Sequence, residues 1–137
     1  MIAPLFIDTG AFIARILRND QFHPQARALW QILQDNARPL YSSEHVLDEC
    51  ATLIARRASY ETAAEWLQRH LTSKSITWLR ANDEDLLEAT KIMKRYSDQR
   101  VSFTDCISFV LMKRERCRHA FSFDEHFRRA GFVLFAE

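Results

Sequence analysis

Four acidic residues far apart in the chain carry the most chemical promise: Asp8, Glu49, Asp105 and Asp124. Asp8 interrupts the apolar run of Leu5, Phe6 and Ile7, a stretch suited to a strand buried on both faces, just where the chain must leave the sheet. An ionised carboxylate there is costly unless it is paired, hydrogen-bonded or holding a metal; left alone it would give up its charge. Asp124 ends the short run of Ala120, Phe121 and Phe123 in the way Asp8 ends the first. Asp105 lies in the segment VSFTDCISFVLM (101–112), which is apolar nearly all round, as a central buried helix would be. With Ser102 or Phe103 opening that helix, Asp105 falls in its first turn, where the partial positive charge of the N-terminus favours an acid. Glu49 follows Val46 by three residues and precedes Leu53 by four, so it points along the edge of a core-facing stripe.

The elements that must position these acids can be read from periodicity and punctuation. After Asp8, Thr9 and Gly10 make a tight exit into a short helix carrying Ala11, Phe12, Ile13 and Ile16, which ends before Asn19 and Asp20. A second helix has Pro24 near its first turn and Ala28, Leu29, Ile32 and Leu33 at helical spacing. Beyond Pro39, Leu40 and Tyr41 form a brief strand, and Ser42 or Ser43 can cap the helix that bears Glu49. Arg56 and Arg57 end it, and Ser59 opens another helix that reaches Thr72. Ile76, Trp78 and Leu79 read as a strand, and Asn82 as the cap of a helix running to about Tyr96. Its acids Asp83, Glu84 and Asp85 suit the first turn and are read as structural. Lys113, Arg114, Arg116 and Arg118 close the helix of Asp105, in the manner of C-terminal cations. The strand ending at Asp124, a short helix through Phe127 stopped by Gly131, and a strand over 133–135 complete the chain. Alternating strands and helices of this kind predict an α/β fold with a parallel sheet. In such a sheet ligands bind beyond the carboxyl ends of the strands where strand order reverses, so the four acids can share one cleft.

Composition sets the frame for that cleft. A chain of 137 residues, read as a single domain over 1–137, can bury most of its surface without disulfides or metals as staples. Its 47% hydrophobic and 27% charged residues describe an ordinary globule and fit neither disorder nor a fibrous protein. Gly10 and Gly131 are the only glycines, too few for the turns of an all-β sandwich or barrel. The net charge of +1 supplies no global field for nucleic acid, so any such binding must come from a local patch. Cys50, Cys106 and Cys117 have no metal-binding or disulfide spacing and read as buried free thiols. The N-terminus lacks a basic region, and no run reaches the length of a membrane span; a cytoplasmic protein is expected.

The stretches FIDTGAFIA, HVLDECATL, YSDQRVSFTDCISFVLM and AFSFDEHFRRAGF resemble the PIN-domain ribonucleases, and within them the VapC-type toxins of toxin–antitoxin pairs. The resemblance covers nearly the whole chain and implies a three-layer α/β/α sandwich with a central parallel sheet of order 3-2-1-4-5. It places the family's acidic metal site on Asp8, Glu49, Asp105 and Asp124, the set chosen above on physical grounds. Ser122 looks like the hydroxyl that orients the site, and Asp98 like an additional acid found in part of the family; with Thr9 they are the expected auxiliary residues. The implied activity is that of a metal-dependent endoribonuclease, a hydrolase of RNA phosphodiester bonds. Oxygen ligands suit Mg²⁺ or Mn²⁺. Asp8 and Asp124 would be the primary ligands, Asp105 would complete the site, and Glu49 would hold or deprotonate the attacking water. Expected partners are the RNA substrate, a cognate antitoxin protein and a second copy of the chain. Trp30, Trp66 and Trp78 are the aromatic residues that a core of this size is expected to leave partly uncovered for dimerisation.

Other readings fail on context. DTGA also marks retroviral-type aspartic proteases, but those are glycine-rich β proteins. A response-regulator receiver would carry paired acids after the first strand and a late lysine, and no phosphate-binding glycine loop occurs. His45, His70, His119 and His126 form no zinc pair and are read as structural. The remaining alternatives are an inactive PIN scaffold that binds RNA or protein, against which the presence of all four acids argues, and a PIN nuclease without an antitoxin.

Overall fold

Leu5, Phe6 and Ile7 form the first strand, β1 (Leu5–Ile7), and are fully enclosed, as an apolar run covered on both faces requires. The computed structural model describes residues 2–135. β1 leads into α1 (Thr9–Ile16) and α2 (His23–Gln34), then β2 (Leu40–Ser43), α3 (Glu44–Arg57), α4 (Tyr60–Thr72) and β3 (Thr77–Leu79). The second half comprises α5 (Asp83–Arg95), α6 (Phe103–Arg114), β4 (His119–Phe121), α7 (Glu125–Arg129) and β5 (Val133–Leu134). All strand pairs are parallel and the sheet runs β3-β2-β1-β4-β5, flanked by helices. The chain lays down β1, β2 and β3 in one direction and then returns to the other side of β1 for β4 and β5. Strand order therefore reverses between β1 and β4, and the crevice at their carboxyl ends is where a site is expected.

Local chemistry fixes where the helices start. Ser43, Ser59, Asn82 and Ser102 cap α3, α4, α5 and α6, each accepting a bond from a backbone N–H of the first turn. Asp85 completes a reciprocal capping box with Asn82 and also pairs with Arg114 of α6, so this acid at the start of α5 is structural. Gly131, at φ +100, takes the left-handed conformation that lets the chain turn from α7 into β5.

Two expectations need correction. β4 stops at Phe121, so Asp124 does not terminate a strand; it caps α7 after the two-residue step of Ser122 and Phe123. The strand gives way there as the Asp124 N–H turns to Ser122 Oγ, a side-chain acceptor in place of a ladder partner. Trp30 and Trp66 are also buried, at 4% and 3% exposure, and do not form an uncovered patch. Phe12 gathers Trp30, Trp66 and Trp78 around its ring at centroid distances of 5.5, 5.5 and 5.7 Å, and Trp30 donates its indole N–H to the Ala11 carbonyl. Of the three, only Trp78 is half-buried. Cys50, Cys106 and Cys117 are free and buried, as read. No helix among the described residues is long and apolar enough to cross a membrane.

Candidate active site

Asp8 is the last residue before α1, placed by β1 at the mouth of the crevice and anchored by its N–H to the Phe121 carbonyl at 3.0 Å. Its side chain is 4% exposed. Oδ2 accepts a hydrogen bond from Ser122 Oγ at 2.8 Å, while Oδ1 is buried without a partner. Ser122 in turn accepts from the Asp124 N–H at 3.0 Å, so one hydroxyl locks the ends of β1 and β4 to each other. Asp124 Oδ1 accepts from the His126 N–H at 2.9 Å, which turns its carboxylate back across the start of α7. Asp105 sits at the third position of α6, half-buried, with its N–H held by Ser102 Oγ at 3.1 Å. Glu49 approaches half-buried from α3.

Asp8, Glu49, Asp105 and Asp124 line one cleft of about 470 Å³, together with Thr9, Gly10 and Ser102. Four elements of distant sequence thus converge where the topology reverses. Asp98 is exposed in the turn between α5 and α6 and does not line this cleft. Thr9 lines it with a buried hydroxyl that has no hydrogen-bond partner.

The electrostatics follow from the crowding of like charges. Burial, reinforced by Asp105 and then by Asp124, pushes the Asp8 carboxyl from its ordinary 3.8 up to about 8, although the Ser122 bond acts the other way. Burial and the charge of Asp124 push Asp105 up to about 6, with Glu49 adding to the rise and Ser102 opposing it. Cys50 is pushed well up by burial, Asp8 and Glu49; it remains a neutral thiol and no nucleophile.

A divalent cation fits this donor set. It would supply the charge that the crowded carboxylates lack and a partner for the orphaned Oδ1 of Asp8. Ligand atoms of Asp105, Asp124 and His126 lie within 4.8 Å of one another, the only such trio among the described residues. His126 was missed in the sequence, where the histidines were judged by zinc spacing. The usable signal was its place two residues after Asp124, which puts both side chains on the first turn of α7. Its Nδ1 lies 2.9 Å from Asp124 Oδ1, at an angle that makes no hydrogen bond. Asp20 was also missed: it lines the cleft, accepts the Phe22 N–H at 2.9 Å and faces Arg57 at 3.9 Å. Next to Asn19 it read as a loop residue only.

Residues 5–133 match the family model described as PIN domain. The chain belongs to the PIN-domain family. It is 31% identical over 132 residues to the 23S rRNA-specific endonuclease VapC20 of Mycobacterium tuberculosis, covering 94% of this chain and 95% of that protein. The crystal structure of VapC20, described as a sarcin-ricin loop cleaving toxin, matches with a TM-score of 0.85 at 28% identity, over 94% of this PIN domain and 96% of the solved chain. Ribonuclease VapC26 of the same organism is 27% identical over 124 residues, covering 90% of this chain and 89% of its own. The fold is shared with VapBC2 of Rickettsia felis bound to a promoter DNA fragment, at a TM-score of 0.69 and 12% identity, over 96% of both chains.

Proposed function

We propose that this PIN domain is a divalent-metal-dependent endoribonuclease, hydrolysing phosphodiester bonds of single-stranded RNA as the toxin of a toxin–antitoxin pair. The observation that carries the reading is the convergence of Asp8, Glu49, Asp105 and Asp124 on one cleft, with a buried oxygen of Asp8 left without a partner. Asp8, Asp105 and Asp124 would hold the ion, Mg²⁺ or Mn²⁺ by the preponderance of oxygen donors. When bound, the ion supplies positive charge to the phosphoryl oxygens and acidifies water at the site. Glu49, at the edge of the cleft, accepts the proton of the attacking water. Ser122 keeps Asp8 and Asp124 in register, and Thr9 lines the same cleft. His126 steadies the Asp124 carboxylate.

The relatives support the reading, since VapC20 is named for cleavage of 23S rRNA and VapC26 as a ribonuclease, and both are matched over nearly their full length. They also support a cytoplasmic toxin with a cognate antitoxin, and 23S rRNA is the first RNA to test. A homodimer belongs to the same proposal. The tryptophans do not support it; the apolar side chains left exposed, among them Leu87 and Met93 of α5 and Phe103 of α6, are the surface available to it. Light scattering is expected to give twice the chain mass at micromolar concentration; a monomer at that concentration rejects the dimer.

Purified protein is expected to cut single-stranded RNA only when Mg²⁺ or Mn²⁺ is supplied, with EDTA reversing the effect. Asp8→Asn and Asp124→Asn are each expected to abolish cleavage while the protein stays folded. Cleavage by Asp8→Asn at the wild-type rate would overturn the assignment. A wild-type protein that binds RNA but cuts nothing across a broad pool would be the inactive scaffold instead.

A further inference from the structure

Phe22 and Phe123 stack face to face at 4.6 Å between centroids and 2° between planes, and both residues line the acidic cleft. The same pair forms a wall of a second cavity of about 550 Å³, whose floor is apolar, made by Ala28 and Leu29 of α2 and Leu134 of β5. The exposed Gln25 stands at this cavity with an amide that offers both donors and an acceptor. Arg128, paired with Glu125, brings a cation to the same cavity. Phe22 is held in place from behind, because Asp20 takes its N–H and faces Arg57 across the cleft.

Resting on the reading of the acidic cleft as an RNA-cutting site, the geometry points to the Phe22–Phe123 cavity as the pocket for one unpaired nucleobase of the RNA, adjacent to the bond that is cut. A single strand that crosses the acids and enters the second cavity meets this wall, since Phe22 and Phe123 line both; the rings cover each other's inner faces, so a base would stack on an outer face. The π-face of any base can stack on Phe22 or Phe123 in a way that tolerates sequence, and the Gln25 amide can meet a base edge to bias the choice. A backbone phosphate on either side would find Arg128 near the rim and Arg57 in the cleft wall. Phe22 and Phe123 are then binding residues that set which nucleotide lies beside the cut, while the acids act on the phosphate.

The probes are short single-stranded RNA oligonucleotides carrying 2-aminopurine, or one abasic nucleotide, at successive positions, used with the full chain. Stacking is expected to quench 2-aminopurine at one position beside the cleavage point. Phe22→Leu, which keeps apolar bulk without the ring, is expected to raise KM about tenfold with kcat little changed, as loss of one base–aromatic stack does. Phe22→Trp is expected to restore the wild-type KM, which a merely structural defect would not allow. An abasic nucleotide at the quenched position is expected to cost wild-type protein the same factor and Phe22→Leu nothing more. Additive losses from the variant and the abasic nucleotide, or no quenching at any position, overturn the pocket while cleavage itself leaves the nuclease reading intact. A Phe22→Leu protein altered only in its state of association, with unchanged KM, makes this face an interface between copies and also overturns the pocket. Coupled binding without cleavage of any RNA upholds the pocket and rejects the nuclease.

Discussion

In metal-free solution the protonation of Asp8 governs how well the site tolerates its own charge. The folded carboxyl, pushed up to about 8, keeps a proton over a range in which the unfolded one, near 3.8, has lost it. Between those values the folded state binds more protons, so stability from this group is fully present below about 3.8 and is lost as pH rises through about 8. Asp8→Asn removes the cost of ionisation without changing shape. In EDTA its melting temperature is expected to exceed wild type by several degrees at pH 8, with the gap closing toward pH 4; an offset that ignores pH would show that Asp8 is not the strained group. Ser122→Ala should act in the opposite direction, because it strips a partner from Asp8 Oδ2 and from the Asp124 N–H together. A loss of about 1–3 kcal/mol in denaturant unfolding and weaker metal binding by about tenfold or more are expected. Asp8, Asp105 and Asp124 were legible in sequence because each interrupts or ends an apolar run, and Glu49 because it edges an apolar stripe. Asp20 and His126 were not, since nothing in a loop or a short helix reveals which side chains the fold will turn toward one cleft.

At the level of elements, α6 does most to set the distance between Asp105 and its neighbours. Ser102 caps this helix through the Asp105 N–H itself, so the cap and the site share one residue. Ser102→Ala is expected to cost about 1 kcal/mol of stability and to lower cleavage by more than that loss explains, whereas Ser102→Thr should preserve both. Equal unfolding midpoints for Ser102→Ala and wild type would remove the cap from the account. Ser59 and Asn82 were readable as starts, and Ser43 and Ser102 to within one residue, because a cap is a local signal, satisfied within one turn. The end of β4 was not: the predicted strand ran through Phe123, but the Asp124 N–H turns to the hydroxyl of Ser122, which itself donates to Asp8, a residue more than a hundred positions away. Phe123 is thereby released from the sheet to stack on Phe22, which no local pattern could announce.

Over the whole molecule, the order of strands was accessible only through the family resemblance, because periodicity yields elements and not their neighbours; the parallel sheet itself followed from alternation. The fate of Trp30 and Trp66 required packing, since only the assembled helices create the aromatic cage around Phe12. The topology brings the four acids to one cleft, where on the proposed reading a divalent ion would bind. Binding to the folded state alone must stabilise it by mass action, by about 2.7 kcal/mol at a hundred times the dissociation constant. For a chain of 137 residues this corresponds to a rise in melting temperature of roughly 10 °C. The gain should shrink as pH falls, because protons compete with the ion for Asp8 and Asp105, whose carboxyls hold them up to about 8 and about 6. Scanning calorimetry with Mn²⁺ or Mg²⁺ across that range should therefore give a shift that is large at pH 8 and nearly absent at pH 5. In Asp124→Asn it should weaken as RNA cleavage is lost, if one carboxylate serves both. A melting shift that persists in Asp124→Asn after cleavage is lost would place the ion elsewhere and separate the stabilising site from the cleft.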